Sequence, residues 1–161
     1  VLRSSPGKIF RNKNYRLLFD RTTLILQSMK SADQKEFIVS HTPDRLELGD
    51  RVFGFETLNA SRLTSIPKDT HIKVVDAGKL HFPLTIRRWK QGDTFYPLGM
   101  TKKKKISDFL IDKKVNRFEK EMTYVLLSDQ DIVCILGHRI DDRFKITDET
   151  VSVLHIEQIH G

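Results

Sequence analysis

The sequence is poor in the features that cross-linking, membrane insertion and export require. Its 161 residues include a single cysteine, Cys134, which excludes a disulfide within the chain and fits a reducing compartment. No apolar run approaches the length of a membrane span, and the first residues show no signal-peptide pattern. We therefore expect a cytoplasmic protein. Because the chain opens on Val1 rather than Met, we also expect it to be part of a longer protein.

Motifs of catalysis and of metal binding are also missing. The six histidines are scattered, without the paired spacing that zinc sites use. Gly92 and Gly99 match neither a phosphate-binding loop nor a dinucleotide-binding loop. The adjacent Asp141 and Asp142 fit a turn whose carboxylates accept backbone N–H groups better than a two-metal site, because such sites draw carboxylates from several elements. The sequence thus predicts no catalytic residue, metal or cofactor in this chain.

The apolar pattern predicts an α+β domain made mostly of β-strands. One amphipathic helix is expected at about 104–114, because Ile106, Phe109 and Leu110 form a single apolar stripe, and a second short helix at 117–122. We expect one domain over 1–161, either as a single body or as a β-rich lobe 1–75 and a basic lobe 76–161. The β-rich or alternating runs that predict strands are 15–27, 36–41, 45–48, 51–58, 71–75, 84–88, 124–127, 132–136 and 151–156.

Positive charge is concentrated in one segment of the chain. There are 28 Lys and Arg against 21 Asp and Glu, and the whole surplus of seven lies between Arg87 and Lys120. A clustered surplus creates a local potential that attracts a polyanion, and nucleic acid is the commonest such partner because its phosphates release counterions on binding. A lysine run is also compatible with a solvated loop that binds nothing. Basic residues on both sides of the run favour a binding surface.

We predict that these basic residues form one RNA-binding face around the first helix. Arginine can grip phosphate with two N–H groups, whereas lysine supplies charge. Trp89 could stack on a base, but a lone tryptophan beside a strand more often packs in the core. Each cation could instead form a surface ion pair, for instance Arg117 with Glu121. The predicted face comprises Arg87, Arg88, Lys90, Lys102, Lys103, Lys104, Lys105, Lys113, Lys114 and Arg117, with Trp89, Arg139 and Arg143 as weaker candidates.

Five stretches, taken together, resemble the C-terminal domain of tRNA(Ile)-lysidine synthase, in a form associated with Bacteroidetes-type bacteria. The resemblance is specific from about Asp76 to Thr147 and vaguer before that. The stretches are Pro83–Asp93 (PLTIRRWKQGD), Phe95–Met100 (FYPLGM), Lys104–Phe109 (KKISDF), Asp112–Val115 (DKKV) and Gly137–Thr147 (GHRIDDRFKIT).

The resemblance implies both a fold and a function. It implies a layered β structure with a packed helix, related to a domain of the phenylalanyl-tRNA synthetase β chain. The family enzyme uses ATP, with Mg, to attach lysine to C2 of the wobble cytidine of tRNA(Ile). Its catalysis belongs to an N-terminal PP-loop ATPase domain whose Ser-Gly-Gly-x-Asp-Ser motif is absent from this sequence. The C-terminal domain contacts the acceptor-stem region, so the implied partners are tRNA(Ile) and the enzyme's own N-terminal domain.

Two other hypotheses stay open at this point. The chain could be a structural module that orients or dimerises the catalytic domain, with a lysine loop that is merely solvated, and a homodimer is therefore left open. It could also be an RNA-cleaving enzyme in its own right, although the missing acidic cluster argues against this. Neither hypothesis involves a membrane.

Overall fold

The computed structural model describes residues 7–11, 13, 15–21, 23–28, 36–41 and 45–159. Within these residues the chain forms short β-strands and two α-helices, α1 (Ile106–Asp112) and α2 (Arg117–Glu121). The strands are β1 (Ile9–Arg11), β2 (Tyr15–Asp20), β3 (Thr23–Ser28), β4 (Phe37–Val39), β5 (Arg45–Leu48), β6 (Arg51–Asn59), β7 (Ile72–Asp76), β8 (Leu84–Arg88), β9 (Thr94–Phe95), β10 (Lys104–Lys105), β11 (Tyr124–Ser128), β12 (Asp131–Ile135), β13 (Arg139–Ile140) and β14 (Ser152–Ile159).

Two antiparallel sheets pack face to face around the main core. One has the strand order β13-β12-β11-β8-β4 and the other the order β5-β6-β14-β7. Their shared core joins Phe53 and Phe55 of β6 with Ile86 of β8 and Leu126 of β11, all of them buried. Burying an aliphatic or aromatic side chain of this size stabilises the fold by roughly 1.5–3 kcal/mol. The predicted α+β class, mostly strand, is confirmed.

The central strand β11 is buried on both of its faces. Tyr124 and Leu126 point into the core between the sheets, whereas Val125 and Leu127 belong to a second cluster on the other face. A strand that is covered on both sides is apolar throughout instead of alternating, as the sequence shows here. Cys134 lies in the main core, and burial raises the pKa of its thiol to about 12, so this cysteine is a packing residue, as predicted.

Helix α1 lies on the outer face of the five-stranded sheet. Its buried residues Ile106, Phe109 and Leu110 form the predicted apolar stripe and contact Val125 and its neighbours. The helix begins at Ile106 instead of about 104, because Lys104 and Lys105 pair as a short strand with Thr94–Phe95. The described residues around α1 therefore form three layers: the four-stranded sheet, the five-stranded sheet and the helix.

Strand pairing joins distant parts of the chain. The C-terminal strand β14 lies between β6 and β7, and β4 pairs with β8. Strands β1, β2 and β3 form a separate three-stranded sheet, which contacts α2 through the ion pair of Arg16 with Glu121. In the part of the chain that the structure describes, no helix combines the length and the apolar character needed to cross a bilayer.

Candidate nucleic-acid interface

The basic segment folds into two turns that lead to α1. A turn at 90–93 joins β8 to β9, and a loop at 96–103 returns the chain to β10, which pairs with β9 and runs directly into the helix. Gly92 (φ 94°) and Gly99 (φ 83°) each occupy the third position of a tight turn, where a positive φ is needed. This path places the lysine run at the N-terminal end of α1.

Two carboxylates hold the loop at 96–103 in place. The Asp141 side chain is fully buried and accepts the N–H of Tyr96 at 2.9 Å and two N–H groups of Arg143 at 3.0 Å each. Asp142 accepts the N–H of Gly99 at 2.9 Å, and this hydrogen bond lowers the pKa of Asp142. The structure thus confirms the predicted turn role of both aspartates.

The C-terminal end of α1 is closed by a Schellman motif. Lys114 has a positive φ of 55°, and its N–H donates to the carbonyl of Ile111, while the N–H of Val115 donates to the carbonyl of Leu110. Val115 then packs against the helix-side core. Glycine is the usual residue at this left-handed position, so a lysine here bears a conformational cost of about 1–2 kcal/mol.

Five lysines at the two ends of α1 are exposed and have no acidic partner within ion-pair distance among the described residues. Lys103 and Lys113 lie instead near aromatic rings, with ammonium-to-centroid distances of 5.6 Å to Tyr96 and 5.9 Å to Phe109. With a helical rise of 1.5 Å per residue, Lys105 at one end and Lys113 at the other are about 12 Å apart along the helix axis. We refer to this set as the lysine cluster; it comprises Lys102, Lys103, Lys105, Lys113 and Lys114.

Three other predicted cations have acidic partners at the surface. Such exposed pairs contribute little to stability, and a phosphate can compete for their cations at small cost. The positive charge of these residues is therefore partly neutralised, unlike that of the lysine cluster. The pairs are Lys90 with Glu36 at 3.0 Å, Lys104 with Asp112, and Arg117 with Glu121 at 4.0 Å.

Arg87 and Arg88 point to opposite faces of the five-stranded sheet, which corrects the single face predicted from the sequence. Neighbours in a strand alternate between faces. Arg87 binds Asp93 through two hydrogen bonds of 2.8 and 3.0 Å, and its side chain is only 13% exposed. The guanidinium of Arg88 lies 5.8 Å from the ring of Tyr124, and its Nη2 is 3.2 Å from the sulfur of Met122. Both arginines are held by the protein itself.

The three weaker candidates also have structural partners. The indole N–H of Trp89 donates to the carbonyl of Lys120, and the ring packs against the helix-side core, which supports the core interpretation. Arg139 donates from Nη2 to the carbonyl of Leu98 at 2.9 Å. Hydrogen bonds to Asp141 raise the pKa of Arg143, which is thereby fixed under the loop.

A cavity of about 410 Å³ beside the end of α1 was not predicted from the sequence. Its walls come from the loop 66–70, β7, Leu98, the end of α1 and residues 137–140. Burial, and then the charges of Arg51, Lys73 and Lys113, lower the pKa of His138 in its wall to about 4. No spacing in the sequence points to this site, because its residues come from four separate parts of the chain.

Comparison with known proteins identifies the domain. A family model described as the TilS substrate C-terminal domain matches residues 84–156. A tRNA(Ile)-lysidine synthase of Parabacteroides distasonis is 38% identical over 160 residues, which cover 96% of this chain and 35% of the relative. The chain therefore spans about a third of the length of this curated relative.

A solved structure shows the same fold. A crystal structure of a TilS C-terminal domain superimposes with a TM-score of 0.65 at 19% identity, covering 79% of this chain and 100% of that chain. An N-terminal fragment of the phenylalanyl-tRNA synthetase β-subunit from Pyrococcus horikoshii aligns with a TM-score of 0.46 at 16% identity, over 54% of this chain and 27% of that chain. The family model, the sequence relative and the shared fold agree: the chain belongs to the TilS substrate C-terminal domain family.

Proposed function

We propose that this domain binds the acceptor-stem region of tRNA(Ile) and so holds the tRNA for the catalytic part of a tRNA(Ile)-lysidine synthase in the cytoplasm. That N-terminal part uses ATP and Mg to join lysine to the wobble cytidine, and this chain contributes binding rather than chemistry. The proposal follows from family membership and from the charge distribution around α1. The relative matched over 96% of the chain carries the name of this enzyme.

The observation that carries the proposal is the exposure of the lysine cluster and its lack of ion pairs among the described residues. Its five ammonium groups are exposed, and the described residues place no acid within ion-pair distance of them. Phosphate binding by such groups breaks no ion pair, and each contact gains free energy from released counterions. Every arginine of the predicted face would first have to leave an internal partner or an acid. Binding therefore centres on lysines.

A lysine-based surface suits recognition of an RNA stem by position and shape. The ammonium group is a flexible point charge that binds phosphate without the two-pronged geometry of arginine. A-form RNA exposes phosphate rows and a wide, shallow minor groove, and proteins recognise it largely by shape and by 2′-OH contacts. The lysine cluster presents charge at both ends of a helix about 10 Å long, as its seven residues imply. We therefore expect contacts to phosphates at several points along a stem.

One observation favours a second candidate function, that of a module which orients the catalytic domain. Leu24 and Leu26 of β3 are 54% and 66% exposed on the three-stranded sheet. Exposed apolar residues that are grouped on one strand often mark a contact with another protein surface. The two functions are compatible, but only the first requires the lysine cluster.

Footprinting of tRNA(Ile) phosphates by the 161-residue chain tests the proposal. We expect protection along the acceptor stem, and we expect it to disappear when Lys102, Lys103 and Lys105 are changed to serine. Absence of protection there, in a chain that melts cooperatively, would contradict acceptor-stem binding. If the same three changes leave the tRNA affinity of the full-length enzyme unaltered, the orienting function is supported instead.

A further inference from the structure

The cavity beside the end of α1 has one apolar wall. Phe109, Leu98, Ile140, Ile66 and Pro67 contribute to it. Phe109 is held rigidly, because its ring stands edge-to-face to Phe95 at 5.3 Å and to His138 at 6.4 Å. The volume of the cavity, about 410 Å³, lies within the range of roughly 300–1,000 Å³ that small-molecule sites occupy. A flat, partly apolar group can lie against such a wall.

The charged side chains of the lining are mostly cationic. Lys68, Lys73, Lys113 and Arg139 line the cavity together with a single acid, Asp69, whose carboxylate already accepts the N–H of His71 at 2.8 Å. The ammonium of Lys73 donates to the carbonyls of Thr70 and Ile72, so its position is set by its own strand and loop. An excess of positive charge in a concave site favours an anionic ligand.

Two nitrogens in the cavity wall lack the hydrogen bonds that buried polar atoms normally make. Among the described residues, Nε of Arg139 and Nε2 of His138 are buried without any partner. Native proteins contain few such groups, because a buried polar atom without a hydrogen bond destabilises the fold. An acceptor that entered the cavity could satisfy them after a small rotation of either side chain. Because both residues line the cavity, its wall has unused hydrogen-bonding capacity.

We propose that this cavity binds a nucleoside monophosphate group, with the base against the apolar wall at Phe109 and the phosphate on Lys73, Lys113 and Arg139. The proposal rests on the proposed RNA-binding function, because Lys113 belongs to both the cavity and the lysine cluster. A stem docked along α1 would therefore reach the edge of the cavity. The ligand is an unpaired nucleotide of the bound RNA, and a free nucleotide has the same chemistry.

Amide-resolved NMR titration of the 161-residue chain with adenosine 5′-monophosphate tests the cavity directly. We expect the largest shifts at Lys73, His138 and Arg139, with weaker binding of adenosine and of inorganic phosphate when each is added alone. Arg139→Gln should weaken binding of the nucleotide about tenfold or more, the effect of losing one charged hydrogen bond. Arg45→Gln is the matched control, because Arg45 is exposed on β5, at the opposite edge of the sheet from β7.

A second charge variant distinguishes a lost ligand contact from a folding defect in Arg139→Gln. Arg139 also holds the carbonyl of Leu98, so its replacement can loosen the loop. Lys73→Gln removes a cation from another wall of the cavity and should also weaken binding of the nucleotide. Shifts confined to the lysines outside the cavity, or equal affinity in wild type and in both cavity variants, would overturn the proposal.

Two RNAs show whether the ligand of the cavity is an unpaired RNA nucleotide or a free nucleotide. They also distinguish binding in the cavity from binding of the stem. One is a blunt stem, and the other is the same stem with unpaired nucleotides at one end. We expect tighter binding of the second RNA by wild type and by the Arg45→Gln chain, but not by Arg139→Gln. Equal binding of both RNAs, without a response to the mononucleotide, refutes the cavity site and leaves stem binding intact. Mononucleotide binding without any RNA binding assigns the cavity to a free nucleotide and refutes the proposed function.

Discussion

Replacing Lys102, Lys103 and Lys105 by serine should weaken tRNA binding strongly while leaving the fold intact. The three side chains are exposed, and no described acid pairs with them. Lys104 is left unchanged because its ammonium already pairs with Asp112. At 0.15 M salt each phosphate contact contributes roughly a factor of five to affinity, so three contacts predict a loss of about 100-fold.

The assay is the affinity for tRNA(Ile) measured over a series of salt concentrations. If each lysine meets one phosphate, the slope of log affinity against log salt should become shallower by about 2–3 in the variant, since each contact contributes roughly 0.7–0.9. The matched control removes three exposed cations that lie outside the basic segment 87–120. It is Lys8→Ser with Arg45→Ser and Arg62→Ser, which carries the same change in net charge.

The comparison of the two triple variants shows whether tRNA binding depends on the lysines near α1 or only on net charge. A purely global charge effect predicts equal losses and equal slopes in both. Such equality, or a wild-type slope near zero, would refute a lysine-centred interface even if the chain binds tRNA by other means. A thermal melt of each variant shows whether lost affinity reflects lost structure.

Three further predictions concern stability. Lys114→Gly should stabilise the domain by about 0.5–1 kcal/mol in chemical unfolding, because glycine relieves the positive φ of 55°. Asp93→Asn should destabilise it by about 1–3 kcal/mol, because it leaves the largely buried guanidinium of Arg87 without its charged partner. His138→Gln should flatten the pH dependence of the unfolding free energy between pH 4 and 6.5. The folded pKa of about 4 lies below the ordinary 6.5, so this contribution is complete above pH 6.5 and is lost as the pH falls towards 4.

Each of these predictions has its own control. Lys113→Gly, one residue earlier at a φ of −78°, should destabilise, and a gain there would contradict the strain argument. Asp129→Asn breaks the exposed pair with His81 and should change stability by less than about 1 kcal/mol. Equal losses at Asp93 and Asp129 would show that burial of the Arg87 pair is unimportant. An unchanged pH profile in His138→Gln would mean that other groups account for the acid sensitivity.

Local chemistry made part of the candidate interface predictable. The stripe of Ile106, Phe109 and Leu110 repeats at helical spacing, so the helix and its buried face follow from three residues. Lysines in the loop after Gly99 stay at the surface because an ammonium group is strongly hydrated. The bounds of the helix did not follow, because pairing of Lys104 and Lys105 with β9 overrides their helical preference. The start of the helix is therefore set by strand β9, a part of the chain outside the helix itself.

The partners of the cations were not predictable in the same way. Arg87 and Arg88 are adjacent, yet strand alternation sends them to opposite faces, where one meets Asp93 and the other Tyr124. Arg143 is committed to Asp141 because that carboxylate also holds the backbone of the loop. The cavity depends on residues up to about 70 positions apart, and nothing in their spacing marks them.

The sequence by itself determined the fold class, the apolar face of α1, the concentration of charge near that helix and the likeness to a known domain family. These properties depend on composition and on short-range periodicity, which a chain carries before it folds. Only the tertiary structure decided which cations are free to bind a partner. An ion pair or a shared hydrogen bond requires two groups within about 4 Å, and strand register and loop docking bring such groups together across long stretches of sequence.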